Sequence, residues 1–126
     1  EALALADVAT AMHDPTEGGL ANGLAEVAYA SGVSIAADPA RITVYPEVEA
    51  LCRAFGIDPL ETLSSGVLIA TVPPDRLAEA EERLRKIGVS HSVIGRVAPR
   101  GDYLVKIGER TYVKPYVEDK LFSLFK

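Results

Sequence analysis

The stretch His13-Asp14-Pro15-Thr16-Glu17-Gly18-Gly19, running into Leu20-Ala21-Asn22-Gly23-Leu24-Ala25-Glu26-Val27-Ala28, sets the plan of the chain. Its first half is a loop by every local signal. Pro15 pushes Asp14 out of the helical region, and the paired glycines free the backbone from side-chain constraints. Its second half is a helix. Leu20, Leu24, Val27 and Ala28 recur at i, i+4, i+7 and i+8, which predicts a helix from about Gly19 to Ser31 with Gly32 as its C-terminal glycine. Val33 to Ala37 then alternates and reads as a strand. A loop, a helix and a strand in this order begin a sheet covered by helices.

The same pattern continues on both sides. Upstream, Glu1 to Ala11 is rich in Ala and Leu and reads as helical, with Val8 to Met12 equally readable as a short strand. Downstream, Asp38-Pro39 is a turn and Ile42 to Tyr45 a short extended piece. Pro46 opens a helix in which Val48, Leu51, Cys52 and Phe55 share one face, which places Cys52 in the core. Gly56 stops it, and Asp58-Pro59 caps a helical turn through Leu63. The apolar run Val67 to Val72, bounded by Gly66 and Pro73-Pro74, predicts a central strand covered on both faces. Asp75 to Ile87 is a helix with Leu77, Ala80, Leu84 and Ile87 as its apolar face. Ser92 to Val97 reads as a strand. After Pro99-Arg100-Gly101, Asp102 to Ile107 and Arg110 to Lys114 form a hairpin about Gly108-Glu109. Tyr116 to Phe125 reads as a last amphipathic helix. The expected class is α+β: a mixed β-sheet covered by helices in α/β/α layers, partly ferredoxin-like.

Composition narrows the function. The chain has 126 residues, 48% of them hydrophobic and 25% charged, which suits one globular domain spanning 1–126. Its net charge of −5 and its lack of a basic run argue against nucleic acid as a partner. Lys106, Arg110 and Lys114 are too few and too free of clustered aromatics to change that. No run approaches the roughly 18 apolar residues of a membrane helix, so no membrane association is expected. With Cys52 as its one cysteine, the chain can form no internal disulfide and no Cys-rich zinc site. The absence of a signal-like N-terminus leads to an expected cytoplasmic location. The single Asn and the absence of Gln fit a thermophilic source. Glu1 opening within a helical pattern suggests a piece of a longer protein.

The concentrated chemistry lies in the quoted loop. A helix start offers unpaired N–H groups and the positive end of the macrodipole, and glycines there let an anionic oxygen approach. Thr16 adds a hydroxyl, so the arrangement can receive an anionic oxygen such as a phosphate. Asp14 and His13 are candidate proton-transfer or hydrogen-bonding groups. The same residues also suit an ordinary helix cap, with Thr16 or Asp14 capping and Glu17 facing the dipole. Ser64-Ser65-Gly66 reads equally as a cleft-lining loop or a polar turn, and His91 as a surface or edge residue. No metal ligand set is evident.

The residues Ala11-Met12-His13-Asp14-Pro15-Thr16-Glu17-Gly18-Gly19-Leu20-Ala21 resemble the motif that opens the C-terminal domain of the aminoimidazole ribonucleotide (AIR) synthase superfamily. The form is nearest the hydrogenase maturation (HypE-type) branch, which carries Asp-Pro-Thr-Arg-Gly-Gly-Leu. Ala30-Ser31-Gly32-Val33, Pro46, Gly56-Ile57-Asp58-Pro59-Leu60, Ser65-Gly66, Val72-Pro73-Pro74 and Ile94-Gly95-Arg96-Val97 follow in order, so the resemblance covers about residues 8–98.

The resemblance implies an AIR synthase C-terminal-domain-like fold paired with an N-terminal ATP-binding domain of the same chain. It further implies ATP and Mg2+ in the full-length parent, phosphoryl transfer at a site between the domains, and a homodimer, with Asp14, Thr16, Gly18 and Gly19 as candidate nucleotide or phosphate contacts and His13 as a weaker one. The isolated domain is expected to hold no cofactor and to be inactive. Two departures stand out. Glu17 replaces the Arg of the branch, and the tail Phe122-Ser123-Leu124-Phe125-Lys126 lacks the branch's terminal reactive cysteine. Cyanide-ligand synthesis is therefore not expected. The rival expectation is a non-catalytic ferredoxin-like regulatory or dimerisation domain.

Overall fold

The computed structural model describes residues 1–125. The chain begins with a short helix, α1 (Ala2–Leu5), and a short strand, β1 (Ala11–His13). Helix α2 (Gly19–Ser31) and strand β2 (Val33–Ala37) follow, and both keep the bounds predicted from their periodicity. A 3-10 turn, Pro39–Arg41, is capped by Asp38, whose side chain accepts the Ala40 amide. The remaining elements are α3 (Pro46–Phe55), β3 (Ile69–Thr71), α4 (Leu77–Lys86), β4 (Gly95–Pro99), β5 (Val105–Ile107) and β6 (Arg110–Tyr112). A 3-10 segment, Lys120–Phe125, ends the described chain.

The strands form two sheets. One is the antiparallel pair β1–β3, with Met12 opposite Ala70. The other has four strands in the order β4-β2-β5-β6. In it β2 runs antiparallel to β4 and parallel to β5, and β5 and β6 close the hairpin about Gly108-Glu109. The positive φ of Gly108 (58°) is the conformation that such a tight turn requires. Helix α2 covers this sheet. Ala21, Leu24, Ala25 and Ala28 bury against Ile35, Leu104, Val105 and Ile107 in the main core. The alanines let the helix approach the sheet closely. A smaller core joins Leu5, Val8 and Ala80, with Leu68, Ala70, Val72 and Leu84 around it. The result is a mixed α+β domain with its sheets packed against helices, as expected.

Several local readings are corrected. Helix α1 stops at Leu5, and Ala11–His13 is a strand because Thr10 and β1 pair with the Thr71 end of β3. The apolar run 67–72 contributes only Ile69–Thr71, which pairs with β1 alone and is not a central strand. The strand read at 92–97 lies instead at Gly95–Pro99, every residue of it exposed. It pairs with β2, so Pro99-Arg100-Gly101 links two strands that flank a third. Residues 42–45 join no sheet. The helical turn expected after Asp58 is a turn in which the Asp58 side chain accepts the Leu60 amide. The closing α-helix is replaced by the 3-10 segment, preceded by irregular chain in which Val117 and Asp119 are buried. Helix α3 has the predicted bounds, but only Cys52 is buried. Leu51 and Phe55 stay 59% and 55% exposed.

Candidate functional site

The loop between β1 and α2 alternates between anchors and open side chains. Pro15 is among the most completely buried side chains. It sits against Gly23, where a methyl group would lie 2.6 Å from the Pro15 Cβ. Gly18 and Gly19 are buried as well, while Asp14, Thr16 and Glu17 are exposed. The sequence folds this way because a small residue at position 23 leaves a slot on α2 for the proline ring. Both loop glycines have positive φ, 73° and 64°. A methyl at Gly19 would lie 2.5 Å from the Thr62 carbonyl oxygen and 2.7 Å from that of Leu60. At Gly18 it would meet the Val117 carbonyl. These glycines are required by close packing.

That packing corrects the expectation of bare amides at the helix start. Gly18 N–H donates to Asp119 Oδ2 at 2.8 Å, and Gly19 N–H to the Thr16 carbonyl at 3.1 Å. Ala21 N–H donates to the Leu60 carbonyl at 2.9 Å, and Asn22 N–H to that of Gly18 at 3.2 Å. The capping reading is corrected too. Gly18 is the N-cap, and neither Asp14 nor Thr16 caps the helix. Two of the amides at this helix start, those of Gly18 and Ala21, are met from distant segments, the tail at 119 and the turn at 60.

The tail contact centres on two buried polar residues. Asp119 Oδ1 accepts from Leu121 N–H at 2.8 Å and, more loosely, from the Thr62 hydroxyl at 3.4 Å. Asn22 Oδ1 accepts Val117 N–H at 2.8 Å, and its Nδ2 donates to the Glu17 carbonyl at 3.1 Å. Lys120 N–H donates to the Glu61 carbonyl at 2.9 Å. Glu61 in turn accepts the Tyr112 hydroxyl at 2.7 Å, and Arg110 pairs with Asp58. Burial, with the Glu61 hydrogen bond, pushes the Tyr112 phenol well above its ordinary value. This network fixes the turn at 58–62 against the hairpin.

Of the residues proposed from sequence, Asp14, Thr16, Gly18 and Gly19 share one loop, with Thr16 joined to Ser64, whose N–H donates to the Thr16 carbonyl at 3.1 Å. The Ser64-Ser65-Gly66 turn is thus beside the loop. His13 is held apart by a 2.7 Å contact from its Nε2 to Glu26 Oε2 on α2. These two side chains line a cavity of about 220 Å³ with Met12 and Ala30. Cys52 is buried, and desolvation, with a smaller contribution from Asp58, pushes its thiol up. His91 is exposed. Among the described residues no group of three or more His, Cys, Asp or Glu side chains could hold a metal ion by itself.

Asp119, Asn22, Thr62 and Glu26 were missed. Asn22 carried a signal: it is a lone amide within an otherwise apolar helical stretch, where an unpaired polar group is costly. Asp119 carried none, because its partner is 101 residues away in sequence.

Residues 1–108 match the family described as AIR synthase related protein, C-terminal domain. The carbamoyl dehydratase HypE of Rhizobium leguminosarum bv. viciae is 36% identical over 98 residues, which are 76% of this chain and 28% of that protein. The chain thus spans less than a third of the length of this relative. The crystal structure of Escherichia coli HypE, a hydrogenase maturation protein, superposes with a TM-score of 0.78 at 26% identity, covering 94% of this chain and 40% of that one. A structure of the hydrogenase maturation protein HypE in complex with ATP superposes with a TM-score of 0.61 at 31% identity, covering 71% of this chain and 28% of that one.

Proposed function

The chain belongs to the AIR synthase-related family as a C-terminal domain, and from that premise we propose that it completes an ATP-dependent enzyme resembling HypE. In this reading an N-terminal domain of the same polypeptide holds most of the nucleotide. The present domain closes the cleft with the exposed edge of its loop. Asp14 and Thr16 face the nucleotide, while Gly18 and Gly19 shape the loop from within. His13 stands behind the edge as a weaker participant.

The observation that carries this reading is the exposed Asp14, Thr16 and Glu17 on a loop whose other residues are buried. Such an edge is preorganised, so little ordering is needed on binding. Its chemistry is selective. Glu17 and Asp14 are acidic, and the Asp119 carboxylate sits on the Gly18 amide, so bare phosphate would be repelled. A phosphate chelated by Mg2+ would not. Mg2+ keeps waters and takes one or two carboxylates beside substrate phosphates, and Asp14 with the Thr16 hydroxyl fits that partial donor set. When bound, the ion would neutralise charge on the transferring phosphoryl group. The chain's own part is to orient the edge and exclude water from it.

The test is calorimetric titration of Mg2+–ATP into the full-length parent and into the 126-residue chain. The parent binds, and Asp14→Ala and Thr16→Ala each weaken binding by about tenfold, which corresponds to about 1.4 kcal/mol. The chain alone neither binds in that range nor turns ATP over. Full affinity in the double variant would overturn the reading.

A further inference from the structure

We infer that Asp119 is a positioning residue for the loop at the start of α2, an inference that rests on the reading of that loop as a nucleotide-facing edge. Asp119 is only 3% exposed, yet its carboxylate reaches the backbone 101 residues upstream. The amide it holds belongs to Gly18, the joint immediately after exposed Thr16 and Glu17. Two consecutive glycines have wide backbone freedom of their own, so the positive φ of this joint must be held by its surroundings. On the upstream side the edge is fixed by buried Pro15. On the downstream side the carboxylate supplies the fixed point through a charge-assisted bond, stronger than a neutral one.

Asn22 doubles the attachment. It ties the Glu17 carbonyl and the Val117 amide to the same helix turn, so the tail and the edge move as one body. Asp119 also accepts from Leu121 and Thr62, so its position is set by groups outside the loop. Asp119 itself is buried behind the edge and touches no ligand in this account. It acts through Gly18, by holding Thr16 and Asp14 where an incoming nucleotide would meet them.

The test compares Asp119→Ala, which removes the acceptor, with Asp119→Asn, which keeps an acceptor oxygen without the charge. Residue-resolved hydrogen exchange and Mg2+–ATP affinity are both measured in the full-length parent. Asp119→Ala is expected to lose protection at Gly18 and Gly19 while Leu24 and Val27 keep theirs, and to weaken ATP binding by about tenfold. Asp119→Asn has one acceptor oxygen for the two N–H donors of Gly18 and Leu121, and is expected to fall between Asp119→Ala and the unsubstituted protein in both readouts. Unchanged exchange at Gly18 in Asp119→Ala overturns the inference. So does a loosened loop with full ATP affinity when Asp14→Ala does weaken binding. If Asp14→Ala has no effect either, the reading of the edge fails, while the exchange result still decides whether Asp119 holds the loop. Should Asp119→Ala not fold, Asn22→Ala releases the same tail from its other side, with the same two readouts.

Discussion

His13 Nε2 and Glu26 Oε2 stand 2.7 Å apart, tying the end of β1 to the middle of α2. Both side chains are partly exposed, so water screens the pair and its worth is modest. Glu26→Gln should cost no more than about 1 kcal/mol in urea unfolding and leave Mg2+–ATP affinity of the parent within about twofold. A larger loss of affinity would show that the imidazole itself works at the nucleotide and that Glu26 orients it.

The glycines give a sharper contrast. Gly19 and Gly56 both have positive φ, 64° and 67°, but only Gly19 is crowded, because nothing lies within 4 Å of a methyl added at Gly56. Gly56→Ala should cost about 1 kcal/mol, the backbone penalty alone. Gly19→Ala should cost about 3 kcal/mol or more, because carbonyl oxygens must also move aside. Equal midpoint shifts in urea would contradict the packing account.

The contrast also shows what could be read from sequence. Helix α2 and strand β2 keep their predicted bounds because their residues repeat with the period of one element and end at Gly32, all local signals. The run 67–72 misled because a short apolar stretch has no period to show how many neighbours it has. Helix α3 misled in another way. Its apolar stripe is real, but Leu51 and Phe55 face outward in this chain, and periodicity cannot say what covers a stripe. At the loop, residue types marked a turn with glycines leading into α2, and the glycines are there. They did not reveal that the Gly18 and Ala21 amides were already taken, since those acceptors come from positions 119 and 60.

Acid should loosen one corner before the rest. Arg83 pairs with Asp7 and Glu79, and Arg76 with Glu79, joining α4 to the segment after α1. Their hydrogen bonds to these arginines hold both carboxyls below their ordinary values of 3.8 and 4.5. The stabilisation is therefore fully present above those values and is lost as pH falls through the lower values of the folded state. Protection at Val8 and Ala9, measured against the free-peptide rate at each pH, should fall on acidification below about pH 4 while that of α2 holds, and Arg83→Gln should remove most of that pH dependence.

Cys52 should be silent toward thiol reagents. Its burial raises the thiol above its ordinary value of 9.0, so little thiolate exists near neutrality. Labelling by an aromatic disulfide at pH 8 should be slow in the native protein and fast in urea. Rapid native labelling would place Cys52 at an open surface.

The most direct test of the account is amide exchange at Gly18 and Gly19 in the full-length parent, with and without saturating Mg2+–ATP. Because these amides already donate to Asp119 and to the Thr16 carbonyl, their protection should be high without nucleotide and change little when it binds, while the resonances of Asp14 and Thr16 shift. Amides that exchange freely without nucleotide and become protected only when it binds would show that the glycines grip the phosphates themselves, and would contradict the account.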